Sequence, residues 1–265
     1  MSNDAKRDLP RQVATVVGAV FQVLAGAIVP IGAIAKETPS LVIPADYAFA
    51  IWGPIFLLCL AYAAYQVLPG NRHNLVLQRV GWLFAGAFFL NGLWEVLVPL
   101  RQPVLLQAIL AGIFACLAVA YLRLVRSEHG VLSWADRWLV ALPLGLLFGW
   151  ITAANAVSLN DTLVELGIVG SGAALVGACL IIARSAAASA VIWVGRAGPL
   201  QGLLAYAGAV LWALLGVVVN QYDASLITSG AALLSIALVV AVLAGALRRA
   251  RPHPGTGRGI RPRVA

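Results

Sequence analysis

The chain has 265 residues, 62% of them hydrophobic and 11% charged, with a mean hydropathy of +0.93 and a formal net charge of +8. That balance is far from a soluble domain's and defines a polytopic α-helical membrane protein. It excludes a β-barrel, whose ten-residue alternation is absent, and a disulfide or zinc scaffold, because Cys59, Cys116 and Cys179 lie inside apolar runs and no CxxC occurs.

In chain order, residues 1–12 read as a polar cytoplasmic tail and Val13 to Ala35 as the first span, interrupted only by Gln22. Ala33-Ile34-Ala35 has the small-residue pattern of a signal-peptidase site, but the apolar run before it is longer than a signal h-region, so an uncleaved helix is expected. A loop with Pro39 and Pro44 leads into PADYAFAIWGPIFLLCLAYAAYQVLP, Pro44 to Pro69, which carries Tyr47, Phe49, Trp52, Phe56, Tyr62 and Tyr65. At 100° per residue, Trp52, Phe56, Cys59, Tyr62 and Gln66 share about a third of the helix circumference. Such a face suits a flat apolar ligand held between helices. The plainer reading is interfacial anchoring with ordinary helix packing.

After a polar turn to Arg79, the third span runs from Val80 to Leu100, with Phe84, Phe88, Asn91 and Glu95 on one face at i, i+4, i+7 and i+11. Glu95 is the one carboxyl group well inside a span, about 7 Å from the outer end of its helix at 1.5 Å per residue. An intramembrane acid is a functional candidate by default, either protonated in apolar surroundings or paired with Arg101 at the rim; the alternative is snorkelling to the headgroups. Val104 to Leu122 is the fourth span, and Trp138 to Leu159 the fifth, with Trp150, Asn155 and Ser158 in its outer half.

Residues 161–247 hold three further spans. The sixth either stops at Arg184, leaving a short interfacial stretch, or runs on to Gly195 with the arginine embedded. The first is favoured, because an arginine at mid-bilayer costs several kcal/mol. The seventh runs from Gly202 to Asn220 and the eighth from Leu226 to Leu247; residues 248–265 form a basic tail expected to be disordered. With eight spans, every Lys and Arg except Lys36 and Arg101 falls on one side of the membrane, which makes both termini cytoplasmic. The tail arginines suit anionic lipid headgroups, and no nucleic-acid motif accompanies them.

This topology brings three clusters to one depth beneath the loop 36–46. They are Tyr47, Phe49 and Trp52; Asn91, Trp94 and Glu95; and Trp150, Ala154, Asn155 and Ser158. They form either a ligand pocket open toward that loop or a polar knot that holds the helices together. No zinc motif, serine elbow or pair of intramembrane carboxyls appears, and His73, His129 and His253 lie in loops or tail, so neither an enzyme nor a bound cofactor is expected.

Three stretches carry a resemblance. LNGLWEVL, Leu90 to Leu97, is similar to the LNxxW stretch in the third helix of the TspO/MBR family, the tryptophan-rich sensory or translocator proteins. PADYAFAIWGPIF resembles that family's first loop and second helix, and LPLGLLFGWITAANAV, Leu142 to Val157, looks like its fifth. The resemblance covers residues 12–160 and is closer still to the longer bacterial members, with WALLGVVVNQ, Trp212 to Gln221, similar to one of their later spans.

The resemblance implies an all-α transmembrane bundle with a five-helix core over 13–160 and three C-terminal helices over 161–247, in the inner membrane of a bacterium. It further implies a pocket for porphyrin, haem or a sterol-like molecule, with Trp52, Asn91, Trp94 and Trp150 as candidate contacts and Tyr47 where shorter members often have Trp. Phe49, Phe56, Glu95 and Asn155 join them by position. Ser158 and Glu95 depart from the residues common in shorter members. The expected role is a non-catalytic sensor or carrier; the alternative is a proton-coupled transporter using Glu95, although no inverted repeat is visible. Gly81, Ala85 and Gly92 suit a homodimer interface or internal packing alike.

Overall fold

The computed structural model describes residues 3–29, 40–126, 132–170 and 172–249. Among the described residues, eight helices are long and apolar enough to cross a membrane. They are α1 (Asn3–Ile28), α2 (Trp52–Val67), α3 (Leu75–Leu97), α4 (Pro103–Val125), α5 (Leu142–Glu165), α6 (Ala174–Gly195), α7 (Leu200–Gln221) and α8 (Leu226–Arg249). With no water in a bilayer core to satisfy backbone groups, each crossing must close its hydrogen bonds internally, and a helix does so.

Local chemistry sets several boundaries. A 3-10 turn, Asp46–Ile51, runs directly into α2. Asn74 caps α3, its side-chain oxygen accepting from the backbone N–H groups of Val76 and Leu77. Arg101 adopts left-handed backbone, φ 49°, and Pro103 follows in the first turn of α4. Ser133 and Asp136 form a capping box, after which Arg137–Ala141 winds as a π-helix into α5. Pro143 accounts for that widening: it has no N–H for the carbonyl four residues back, and its ring crowds the same turn.

α1 packs on α3 and α2, α3 on α4, and α4 on α5; α8 covers α6 and α7. α5 is the most enclosed helix, and its closest partner is α7. The crossing depends on glycine. A Cβ on Gly145 would run into the backbone oxygen of Gly202, and one on Gly149 into that of Tyr206. Small residues at this spacing let two helix backbones approach, the usual device for packing inside lipid.

Three expectations change, and one open choice falls to internal packing. α1 starts at Asn3, not Val13, and Arg11 is buried within the bundle: its Nε and Nη2 bond both Asp8 oxygens at 2.7 Å, and Nη1 bonds Gln66 Oε1 at 2.6 Å. Residues 75–79 belong to α3 and residues 160–165 to α5 instead of to loops. α6 does not stop at Arg184 but runs unbroken to Gly195, the guanidinium lying 5.4 Å from the centroid of the Phe114 ring. Gly81 and Gly92 are occupied from within, Gly81 by Arg11 and Gly92 by Phe21. The Ala33-Ile34-Ala35 stretch, His129 and the tail from residue 250 onward lie outside the described residues.

Candidate functional site

A cavity of about 200 Å³ lies around the half of α5 nearest residues 42–44. Its aromatic wall comes from three separate elements: Phe49 from the turn before α2, Trp94 from α3, and Trp150 from α5. Trp150, only 4% exposed, is held by two edge-to-face contacts, with Phe49 at 5.9 Å and Trp52 at 6.2 Å between ring centroids. The Trp94 indole N–H is buried with no hydrogen-bond partner. A buried donor left unpaired in this way costs free energy until something accepts from it.

The lining residues of α5 fall on opposite faces of that helix. Trp150, Ala154 and Val157 share one face, while Thr152 and Ala156 stand roughly half a turn away. The hollow therefore reaches around α5, from Phe49 and Trp94 to Val210 and Leu214 of α7 and to Arg184 and Ser185 of α6.

Val42, Ile43 and Pro44 roof this space, and α7 holds the roof down. The Ile43 carbonyl accepts from Asn220 Nδ2 at 3.0 Å and Gln221 Nε2 at 3.1 Å, and Ala45 N–H donates to the Gly216 carbonyl at 2.9 Å. Asn160 on α5 adds a bond to Ser40 Oγ at 3.1 Å.

Of the nine residues expected at the site, Phe49, Trp94 and Trp150 line the cavity. Trp52 stacks on Phe56 at 5.2 Å behind them, and Phe56 leans on Gly26 of α1. Tyr47 is largely exposed and meets the Trp212 ring edge-on at 5.4 Å. Asn91 and Glu95 are fully buried but face α1: Asn91 Nδ2 donates to Glu95 Oε1 at 3.1 Å and Gln22 Oε1 at 3.3 Å. Asn155 turns to α4, donating to the Leu110 carbonyl and accepting from Gln107 Nε2 at 3.3 Å.

The sequence reading missed the contribution of α6 and α7. Arg184 was a visible signal, a cation inside an apolar run, but it was read as a helix end. Val210, Ala213, Leu214 and Val217 carried no signal, since an apolar face at i, i+3, i+4 and i+7 looks the same whether it meets lipid, protein or a cavity.

Among the described residues, eight apolar helices enclosing an aromatic hollow define a multi-pass integral membrane protein. The family described as TSPO-like protein matches residues 12–244, and the chain belongs to it. The matched stretch runs from α1 into α8. No curated protein and no solved structure matches the chain.

Proposed function

We propose that this protein is a non-catalytic sensor or carrier that binds a flat, largely apolar molecule of tetrapyrrole or sterol-like kind in the cavity beside α5. The carrying observation is the unpaired Trp94 N–H in a space also walled by Phe49 and Trp150. Aromatic faces favour a planar ligand, and a buried donor without a partner at its wall gains from an acceptor on the ligand's polar edge.

Size adds a condition. Drug-sized ligand sites usually offer roughly 300–1,000 Å³, against about 200 Å³ here. A compact ligand fits beneath the roof, whereas a macrocycle requires residues 42–44 to lift. The charge alternation supports an inner-membrane protein with both termini cytoplasmic, so that the cavity opens on the extracytoplasmic side. Glu95 stands off the cavity, against α1, and this reading does not use it.

The test is a protoporphyrin IX titration of the purified protein followed by tryptophan fluorescence. Saturable quenching is expected, weakened by Trp94→Leu and Trp150→Leu and unchanged by Trp82→Leu, whose side chain is exposed on α3. No saturable signal with protoporphyrin or with a sterol probe would overturn the reading.

A further inference from the structure

Arg184 is the feature the proposed function leaves unexplained. It stands midway along the 22-residue α6, about 15 Å from either end at 1.5 Å per residue. A cation at that depth is costly unless something answers its charge. The protein does so for Arg11, which is fully buried and holds both Asp8 oxygens and the Gln66 side chain, whereas Arg184 is half-buried. Arg184 makes no ion pair and no hydrogen bond with any described residue, and its recorded cation contact is the Phe114 ring. A ring face offsets part of the desolvation but supplies no counter-charge.

The neighbourhood shows where a counter-charge belongs. Arg184 and Ser185 line the cavity, together with Thr152 of α5. A Cβ on Gly177 would lie 3.5 Å from Asn160 Oδ1, so that α6 residue is level with Asn160. α6 descends antiparallel to α5, which sets Arg184 level with Ala153, roughly 12 Å further from the roof than Asp161. The acidic residues of the lining, Asp161 and Glu165, thus stand at its upper end with Arg101, and Arg184 at its deep end. Around that deep end the walls are Leu110, Val210 and Leu214.

Resting on the ligand-pocket reading above, we propose that Arg184 is the anchor for a carboxylate on the ligand, making the preferred ligand a flat apolar body with an acidic arm. The planar guanidinium fork matches a carboxylate with two parallel hydrogen bonds. Ser185 stands beside Arg184 in the same lining, while the Thr152 hydroxyl is already taken by the Phe148 carbonyl and the Tyr206 hydroxyl. Mid-membrane depth favours an acid carried in on the ligand over the headgroup of a bilayer lipid, which sits at the surface.

Protoporphyrin IX and its dimethyl ester separate the possibilities, because they share one ring and differ in charge. Binding is measured in neutral detergent and in phosphatidylcholine nanodiscs, with the intact chain. Wild type is expected to bind the acid about ten- to a hundredfold tighter than the ester, the worth of a hydrogen-bonded charge pair. Arg184→Gln should abolish that preference while leaving ester binding in place, and Arg184→Lys should retain part of it. The comparison in wild type needs no variant to fold. Equal affinity for acid and ester, or an Arg184→Gln variant that weakens both alike, overturns this proposal and leaves the pocket standing. Binding of neither probe overturns both. Competitive loss of acid binding on adding phosphatidylglycerol assigns Arg184 to lipid phosphate and also overturns it.

Discussion

The indole N–H of Trp212 donates to the Ala48 carbonyl at 2.9 Å, tying the middle of α7 to the turn that opens α2. One helical turn or more further along, Gly216, Asn220 and Gln221 of the same helix hold the backbone of Ala45 and Ile43. The later helices thus do more than complete a bundle. α7 supplies one wall of the cavity and fastens its roof.

If entry requires the roof to lift, loosening those ties should accelerate exchange. Asn220→Ala with Gln221→Ala removes two side-chain bonds to Ile43, each worth about 1 kcal/mol net. Stopped-flow fluorescence with protoporphyrin IX should then show association and dissociation both faster, by roughly tenfold or more, with affinity changed much less. Unaltered rates would show that the ligand enters by another route.

The α5–α7 crossing predicts a graded stability series. Gly149→Ala pushes a methyl into backbone that cannot swing aside, and overpacking of this kind costs about 1–3 kcal/mol. Gly145→Ala meets the Gly202 carbonyl in the same way. Gly208→Ala is the internal control: nothing lies within 4 Å of its Cβ position, and alanine favours a helix over glycine. Thermal unfolding in detergent should rank Gly208→Ala at or above wild type and the other two below it. Equal midpoints for all three would contradict the tight crossing.

The eight long apolar helices among the described residues could be read from the chain because lipid forces long apolar runs that close their own backbone hydrogen bonds. Faces were legible for a related reason. The helical period put Phe84, Phe88, Asn91 and Glu95 together, and all four are buried, with Tyr62 stacked on Phe84 at 4.1 Å. What a period does not encode is the partner that each face meets. Asn91 meets Gln22 of α1 and Glu95 lies against Gly26 of the same helix, whereas Trp94, one position away from Glu95, lines the cavity. Arg184 was misplaced by a sound energetic rule, since the hollow and the Phe114 ring that accommodate it are properties of the assembled bundle.

The Gln22–Asn91–Glu95 cluster should behave as a structural tie. Asn91→Leu strips the donor from Gln22 Oε1 and Glu95 Oε1 and leaves both buried, at a cost of about 1–3 kcal/mol or more. Glu95→Gln replaces the Oε2 atom, which has no partner, with an amide group and keeps Oε1 as the acceptor for Asn91 Nδ2. That variant should fold with undiminished stability and bind protoporphyrin as wild type does. Proteoliposome flux driven by a pH gradient and abolished in Glu95→Gln would instead favour a proton-coupled transporter.

At the opposite end of the bundle from the roof, Arg11 offers a test of how buried charge is managed. It is 2% exposed, and its side chain fills the space over Gly81. Arg11→Met should cost about 3–5 kcal/mol, because Asp8 is then left beside the protein interior without its partner. Replacing both members, Arg11→Met with Asp8→Leu, should recover much of that loss, since the desolvation penalty disappears along with the attraction. Arg11→Lys should fall between, as one ammonium cannot reproduce the two parallel bonds to Asp8 and the third to Gln66. Unfolding midpoints of wild type, Arg11→Met, Asp8→Leu and the double variant form a double-mutant cycle. A double variant no more stable than Arg11→Met alone would mean that the arginine acts through its packed methylene stem and not through its charge.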